Sequence, residues 1–375
     1  DEEDTRDIVT KIRLKVYQGF VNYRGIHVNE LAFNKHCDNF HSNVLEGIYN
    51  YSTHTYSAQK TNKNSSHFTS TESTVTNPGN IADAILTDRD SILYIHGFME
   101  NTEAENVRVI IRAYLDKGDV NVILLDWGDI AYHINYVYVA SQVAAIGKVV
   151  AESLNQLIEL IDLDTLHVIG HSLGAHIAGN IGRFANISRI TGEYLQIFEH
   201  FCGPVYALTS QKDINLSNTG LDPAFPLFYP SACHIRSTDA EAVVILHTDG
   251  GFYGAAINTG TVDFYANKGI SVQPGCPIIF GAELCSHQRS VAIYAESLNS
   301  PKAFPAHKCF DKIADIEEVY FGDSTPKNIY GAYCFNTNAK SPYGKDTITL
   351  IDNLTTMEDE VKHFVPRSID LVGSR

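Results

Sequence analysis

Residues 166–180 read Leu-His-Val-Ile-Gly-His-Ser-Leu-Gly-Ala-His-Ile-Ala-Gly-Asn, and the reading of Ser172 within them decides the fold. A Gly-x-Ser-x-Gly string is weak alone, because roughly one chain in ten of this size contains one by chance at average Gly and Ser usage. Its setting is the stronger signal. The string follows Leu166–Ile169, an apolar run suited to a buried strand, and opens Leu173–Phe184, a run suited to a helix whose Gly174 and Ala175 allow close packing on a sheet. Strand, sharp turn and helix in that order present a serine hydroxyl at the tip of a tight elbow. The competing reading is a helix N-cap, for which serine is also favoured. A cap does not require glycine on both sides, so the elbow is preferred.

Working outward, residues 91–98 (SILYIHGF), 121–128 (NVILLDWG) and 241–249 (EAVVILHTD) are further continuous apolar runs, as strands buried on both faces require. Between them, Thr102 to Leu115 and Tyr136 to Ile161 carry apolar residues at three- and four-residue spacing and predict helices. Alternating strands and helices predict an α/β chain with a mostly parallel central sheet flanked by helices. Residues 1–80 lack clear periodicity and end in a Ser/Thr/Asn-rich stretch read as a solvated loop, 81–345 form the expected domain, and 346–375 are a tail.

The chain has 375 residues, is 44% hydrophobic and 19% charged, and so can bury a large core. A formal net charge of -16 argues against nucleic acid as a partner and against strongly anionic membranes. Any lipid contact would be local and apolar. No unbroken run of about 18 apolar residues occurs, so no transmembrane segment is expected. The start, DEEDTRDIVT, does not read as a signal peptide, and the expectation is that a leader has been removed. Seven cysteines lack the paired spacing of a structural zinc site and favour disulfides in an oxidising compartment. Sequons at Asn50, Asn64, Asn186, Asn215 and Asn353 are compatible with secretion.

A serine hydroxyl attacks only when a base accepts its proton and donors stabilise the resulting oxyanion. The donors expected are the backbone N–H of Leu173 and that of Phe98, in the loop where Gly97 lets the chain turn inward after Tyr94–Ile95. The chain order Ser, Asp, His then calls for a carboxylate and a histidine downstream. Asp222, ending Thr219-Gly220-Leu221 and followed by Pro223, is the carboxylate, with Glu241 and Asp249 as alternatives that lack the strand-end setting. His287, at the start of a helix-like run, is the histidine. His96 precedes the serine and is read as a core residue. No metal or cofactor is called for.

These motifs together, from about Ile92 to Lys345, resemble the pancreatic lipase family, and within it the insect enzymes close to wasp venom phospholipases. The resemblance rests on YIHGF, LLDWG, VIGHSLGAHIAG, TGLDPAFP, HTDGG, TVDFYANKG, QPGC, CSHQRS and FNTNAKSPYG in one order. It implies an α/β-hydrolase fold, Ser172 as nucleophile, Asp222 and His287 as acid and base, and Phe98 with Leu173 as the oxyanion hole. It also implies a secreted hydrolase acting on phospholipid or neutral lipid at an interface, through an acyl-enzyme. In this family a disulfide-closed lid and a second loop flank the site, and short versions accompany cleavage of the sn-1 chain of phospholipids. Here Cys276 and Cys285 enclose only PIIFGAEL, and Gly250 to Thr259 is also short, so phospholipase A1 is the leading reading. A triacylglycerol lipase and a catalytically silent lipase-like binding or storage protein are the alternatives. About thirty residues follow SPYGK, too few for the family's C-terminal β-sandwich, so no colipase-type partner is expected.

One departure from the family pattern stands out. After Ser188-Arg189-Ile190-Thr191-Gly192 the chain runs through Glu193 to Gly220 before Leu221-Asp222, an insertion of 28 residues. Removing it restores RITGLDPAFP and also removes Cys202, leaving six cysteines. A retained intron and a real surface excursion are both consistent with this. In the second case either RITG or NLSNTG completes the strand that carries Asp222. With Cys202 set aside and Cys276 paired to Cys285, the other four cysteines allow three pairings, of which Cys309–Cys334 with Cys37–Cys233 is preferred.

Overall fold

The computed structural model describes residues 2–20, 68–188, 196–199, 203–206, 216–229, 234–309 and 319–345. Its centre is a run of seven parallel strands. In chain order they are β3 (Asp90–Ile95), β4 (Val120–Asp126), β5 (His167–His171), β8 (Ser217–Leu221), β9 (Ala242–His247), β10 (Val262–Ala266) and β13 (Gly331–Phe335). In space they lie in the order β4, β3, β5, β8, β9, β10, β13, which places the strand of Ser172 next to the strand of Asp222.

Alternate residues of each strand face opposite layers, so the two faces can be read from the pleat. Leu93, Ile95, Ile123, Leu125, Val168 and Ile245 pack under helices α3 (Tyr136–Asn155) and α4 (Leu173–Ser188), together with α1 (Glu2–Lys11). Ile92, Tyr94, Val122, Leu124, Ile169 and Leu246 pack under α2 (Glu105–Lys117) and α5 (Ala282–Asn299). This two-sided burial is what continuous apolar strands predict, and the architecture is an α/β-hydrolase fold.

The helix boundaries differ from those that periodicity suggested. α2 begins only at Glu105, because the Asn101 side chain accepts from Glu103 N–H in a turn before it, and it ends at Gly118 with φ of 82°. α3 is capped by the Asn135 side chain accepting from Tyr138 N–H, and it ends at Asn155 rather than Ile161. By length and composition alone α3 is apolar enough to cross a membrane, although it holds no unbroken run of about 18 apolar residues. Half of it is buried, with Val139, Val143, Ile146 and Val150 in the core, so packing accounts for its apolarity. Gly147 allows α3 and α4 to touch: a Cβ there would lie 2.4 Å from Asn180 Cβ.

Residues whose sequence shows no clear periodicity extend the sheet at one end. β1 (Arg13–Phe20) pairs antiparallel with β4, and β2 (Phe68–Thr74) covers β1. At the other end, β11 (Pro305–Lys308) and β12 (Val319–Tyr320) pair antiparallel outside β13. A disulfide joins Cys309 to Cys334 of β13, in the expected pairing. The Cys37–Cys233 pairing, Cys202, the sequons other than Asn186, and residues 346–375 lie outside the described residues.

The strand between β5 and β9 is built from Ser217–Leu221, so the end of the inserted segment delivers Asp222. Within the same segment, β6 (Gln196–Glu199) and β7 (Gly203–Tyr206) form a separate antiparallel pair.

Candidate active site

Ser172 sits at the C-terminal tip of β5 with φ of 55°, a left-handed conformation that non-glycine residues rarely adopt. An N-cap residue is normally extended, so this geometry is that of an elbow. The flanking glycines are required by contact. A Cβ at Gly170 would lie 2.2 Å from Gly174 O, and one at Gly174 would lie 2.2 Å from Ile95 O. The elbow is tied to its neighbours by Ser172 N–H donating to Leu221 O at 3.1 Å, and by Ser172 O accepting from Ala175 and Ala224 N–H.

Asp222 leaves β8 with φ of 47°, its N–H donating to Leu246 O of the next strand. Its carboxylate is fully buried. Oδ1 accepts from the backbone N–H groups of Thr248 and Asp249 at 2.8 and 3.1 Å, while Oδ2 lies 2.6 Å from His287 Nδ1. Two backbone donors on Oδ1 fix the carboxylate in one rotamer, with Oδ2 turned to His287. Nδ1 of His287 is then the donor, and the lone pair of the neutral ring is on Nε2. His287 lies in the second turn of α5, and its ring packs beside those of His171 and Tyr253, at centroid distances of 4.9 and 5.8 Å.

The loop after β3 closes the other side. Trp127 Nε1 donates to His96 O, Gly97 N–H to Glu100 Oε2 at 2.7 Å, and Met99 N–H to Ala131 O. Phe98 N–H lies between two anchored amides, with its ring edge-on to Tyr136. His96 is buried against Trp127, in keeping with its reading as a core residue. Glu241 pairs with Lys327 at the far end of β9, away from His287.

Glu100 and Gly254 carried no sequence signal, and Asp249 was named only as an alternative to Asp222. Glu100 is buried, and its carboxyl would be raised by burial, but His171, His96 and Gly97 N–H outweigh that and bring it down to about 2. Gly254 is required because a Cβ would lie 2.3 Å from Asp222 Oδ2. Asp249 is pushed up to about 6, chiefly by burial, against the opposing hydrogen bond from Ser271. Asp222, Asp249 and His287 bring three ligand-type atoms within 4.8 Å, but these groups are already satisfied by His287, Thr248, Ser271 and Tyr253 donors. The cluster is an internal hydrogen-bond network.

The Cys276–Cys285 disulfide closes the expected loop beside His287, and Ile278, Ile279 and Phe280 on it are 87, 74 and 75% exposed. Two disulfides among the described residues fit an extracellular protein.

The lipase family model matches residues 51–194 and 209–318, well over half of the chain, and passes over the centre of the insertion. Phospholipase A1 1 of Vespa affinis is 34% identical over 228 residues, covering 56% of this chain and 60% of that protein. Phospholipase A1 2 of Dolichovespula maculata is 37% identical over 216 residues, covering 54% and 63%. Lipase member H-A of Xenopus laevis is 34% identical over 221 residues, covering 56% and 42%. The chain thus spans about 60% of the length of these two wasp relatives. The sheet order, the elbow at Ser172 and these matches agree, and the chain belongs to the lipase family.

Proposed function

We propose that this chain is a secreted phospholipase A1 that releases the sn-1 fatty acid through Ser172, His287 and Asp222. Ser172 Oγ attacks the ester carbonyl, and His287 Nε2 takes its proton. The Phe98 and Leu173 N–H groups stabilise the oxyanion. His287 then returns the proton to the leaving lysophospholipid oxygen, which breaks the ester bond and leaves an acyl-Ser172. Water, deprotonated by the same nitrogen, releases the fatty acid and regenerates the serine. Asp222 holds the ring in the Nδ1–H tautomer and balances the imidazolium that forms. No cofactor enters these steps.

The observation that carries this reading is the 2.6 Å contact between His287 Nδ1 and a fully buried Asp222, beside the strained elbow of Ser172. The short Cys276–Cys285 loop supports a phospholipid over a triglyceride, because so few residues cannot cover a large apolar site and leave room for a head group. Two assays test the proposal. A fluorophosphonate should label Ser172, and purified protein should cleave the sn-1 ester of phosphatidylcholine faster than triolein. A folded sample that stays unlabelled defeats the triad, and a preference for triolein reverses the substrate assignment.

A further inference from the structure

Glu100 is a buried acid that the chemistry above does not use, and a buried ionised carboxylate is costly unless its partners repay the lost hydration. Its partners come from three separate elements of the site. Oε2 accepts from Gly97 N–H of the loop after β3 at 2.7 Å and faces His171 Nδ1 of the nucleophile strand at 3.3 Å. Oε1 accepts from Asn106 Nδ2 of α2 at 2.8 Å. The corner is tight: a Cβ at Gly97 would lie 3.0 Å from Ser172 Cβ, 3.2 Å from His171 Nδ1 and 3.3 Å from Glu100 Oε2. Met99, between Phe98 and Glu100, has φ of 57°, so the loop is held in a conformation it would not adopt unaided.

We propose that Glu100 is a positioning residue that sets the Phe98 N–H relative to Ser172, by tying the Gly97 amide, the His171 ring and Asn106 to one carboxylate. The assignment rests on the triad reading above. Oxyanion donors act only when aimed at where the oxyanion forms, so a small displacement of this loop weakens the transition state more than substrate binding. Glutamine is the informative substitution. It presents one acceptor oxygen and an NH2 group where glutamate presents two acceptors, so with Asn106 and His171 oriented as they are one donor loses its acceptor.

The test compares the wild type with Glu100→Gln on a soluble short-chain ester, measuring kcat, KM and melting temperature. The expected result is a fall in kcat of about 30-fold with KM within about twofold, the signature of lost transition-state positioning. Hydrogen exchange at residues 96–100 should quicken in the same variant. A folded Glu100→Gln protein with kcat within about twofold of wild type overturns the proposal. If that variant does not fold, Asn106→Ala removes the donor to Oε1 without touching the loop. It should lower kcat about fivefold at unchanged KM, and an unchanged kcat overturns the proposal equally. Wild-type protein inactive on every ester would instead sink the triad reading itself, and this assignment with it.

Discussion

Asp222 and His287 are separated by 65 residues in the chain, yet their side chains meet at 2.6 Å because β8 and α5 both open onto the C-terminal edge of the parallel sheet. The oxygen of Asp222 that does not face His287 is held by the Thr248 and Asp249 amides. Replacing Asp222 with asparagine keeps the shape but allows the wrong tautomer of His287. The expected loss in kcat is about 10⁴-fold with an intact fold, measured by ester hydrolysis and circular dichroism.

Gly254 tests the same contact sterically. An alanine there places Cβ 2.3 Å from Asp222 Oδ2, so either the carboxylate or the loop must move. Gly254→Ala should cost about 1–3 kcal/mol of stability and at least about 100-fold in kcat. Denaturant unfolding and steady-state kinetics read the two effects separately.

Asp249 provides a pH test of stability. Its folded value of about 6 stands above the ordinary 3.8, so the folded protein binds more protons than the unfolded chain between those values. Asp249 therefore contributes a loss of stability as pH rises from about 4 through 6, and no further change above. Asp249→Asn should match wild type near pH 4 and melt at a higher temperature above pH 6. Parallel melting curves of the two proteins across pH 4–8 would contradict this.

The exposed Ile278, Ile279 and Phe280 on the disulfide-closed loop are the side chains best placed to enter a lipid surface. Each apolar side chain buried there is worth up to about 1.5–3 kcal/mol. Changing all three to serine should lower hydrolysis of phosphatidylcholine vesicles at least about tenfold, with a soluble short-chain ester affected less than about twofold. Equal losses on both substrates would place these residues in the chemistry instead.

The strand that carries Asp222 yields a test of the insertion. Asn218 in β8 is fully buried with Oδ1 lacking a hydrogen-bond partner, while Thr219 bonds His167 Nε2 at 2.8 Å. Deleting Glu193 to Gly220 would put Ile190, Thr191 and Gly192 in the places of Asn218, Thr219 and Gly220, keeping the threonine and replacing a buried amide with an apolar residue. The shortened chain should fold, retain activity and melt at a higher temperature, since an unsatisfied buried polar group costs about 1–3 kcal/mol. An insoluble or inactive product would assign the strand to Ser217–Leu221 alone. Transcript sequencing separately decides whether the 28 residues belong to the mature protein.

The elbow and the parallel strands were legible in the sequence because each depends on local chemistry, while Asp222 and His287 were candidates by chain order and Cys309–Cys334 was one of three open pairings. Glycines at fixed offsets permit the turn at Ser172, apolar runs form strands buried on both faces, and proline after Asp222 ends a strand. Tertiary structure alone decided the rest. β1 and the edge strand β2 have no continuous apolar run to mark them, and only the pairing of β1 with β4 and of β2 with β1 places them. The Thr-Gly stretch adjoining Leu221 lies in the sheet, in register with β5 and β9. Glu100, Gly254 and the Thr248 and Asp249 amides join the site through contacts between distant segments. A hydrogen bond or a steric limit between residues far apart in the chain leaves no periodicity for the sequence to display.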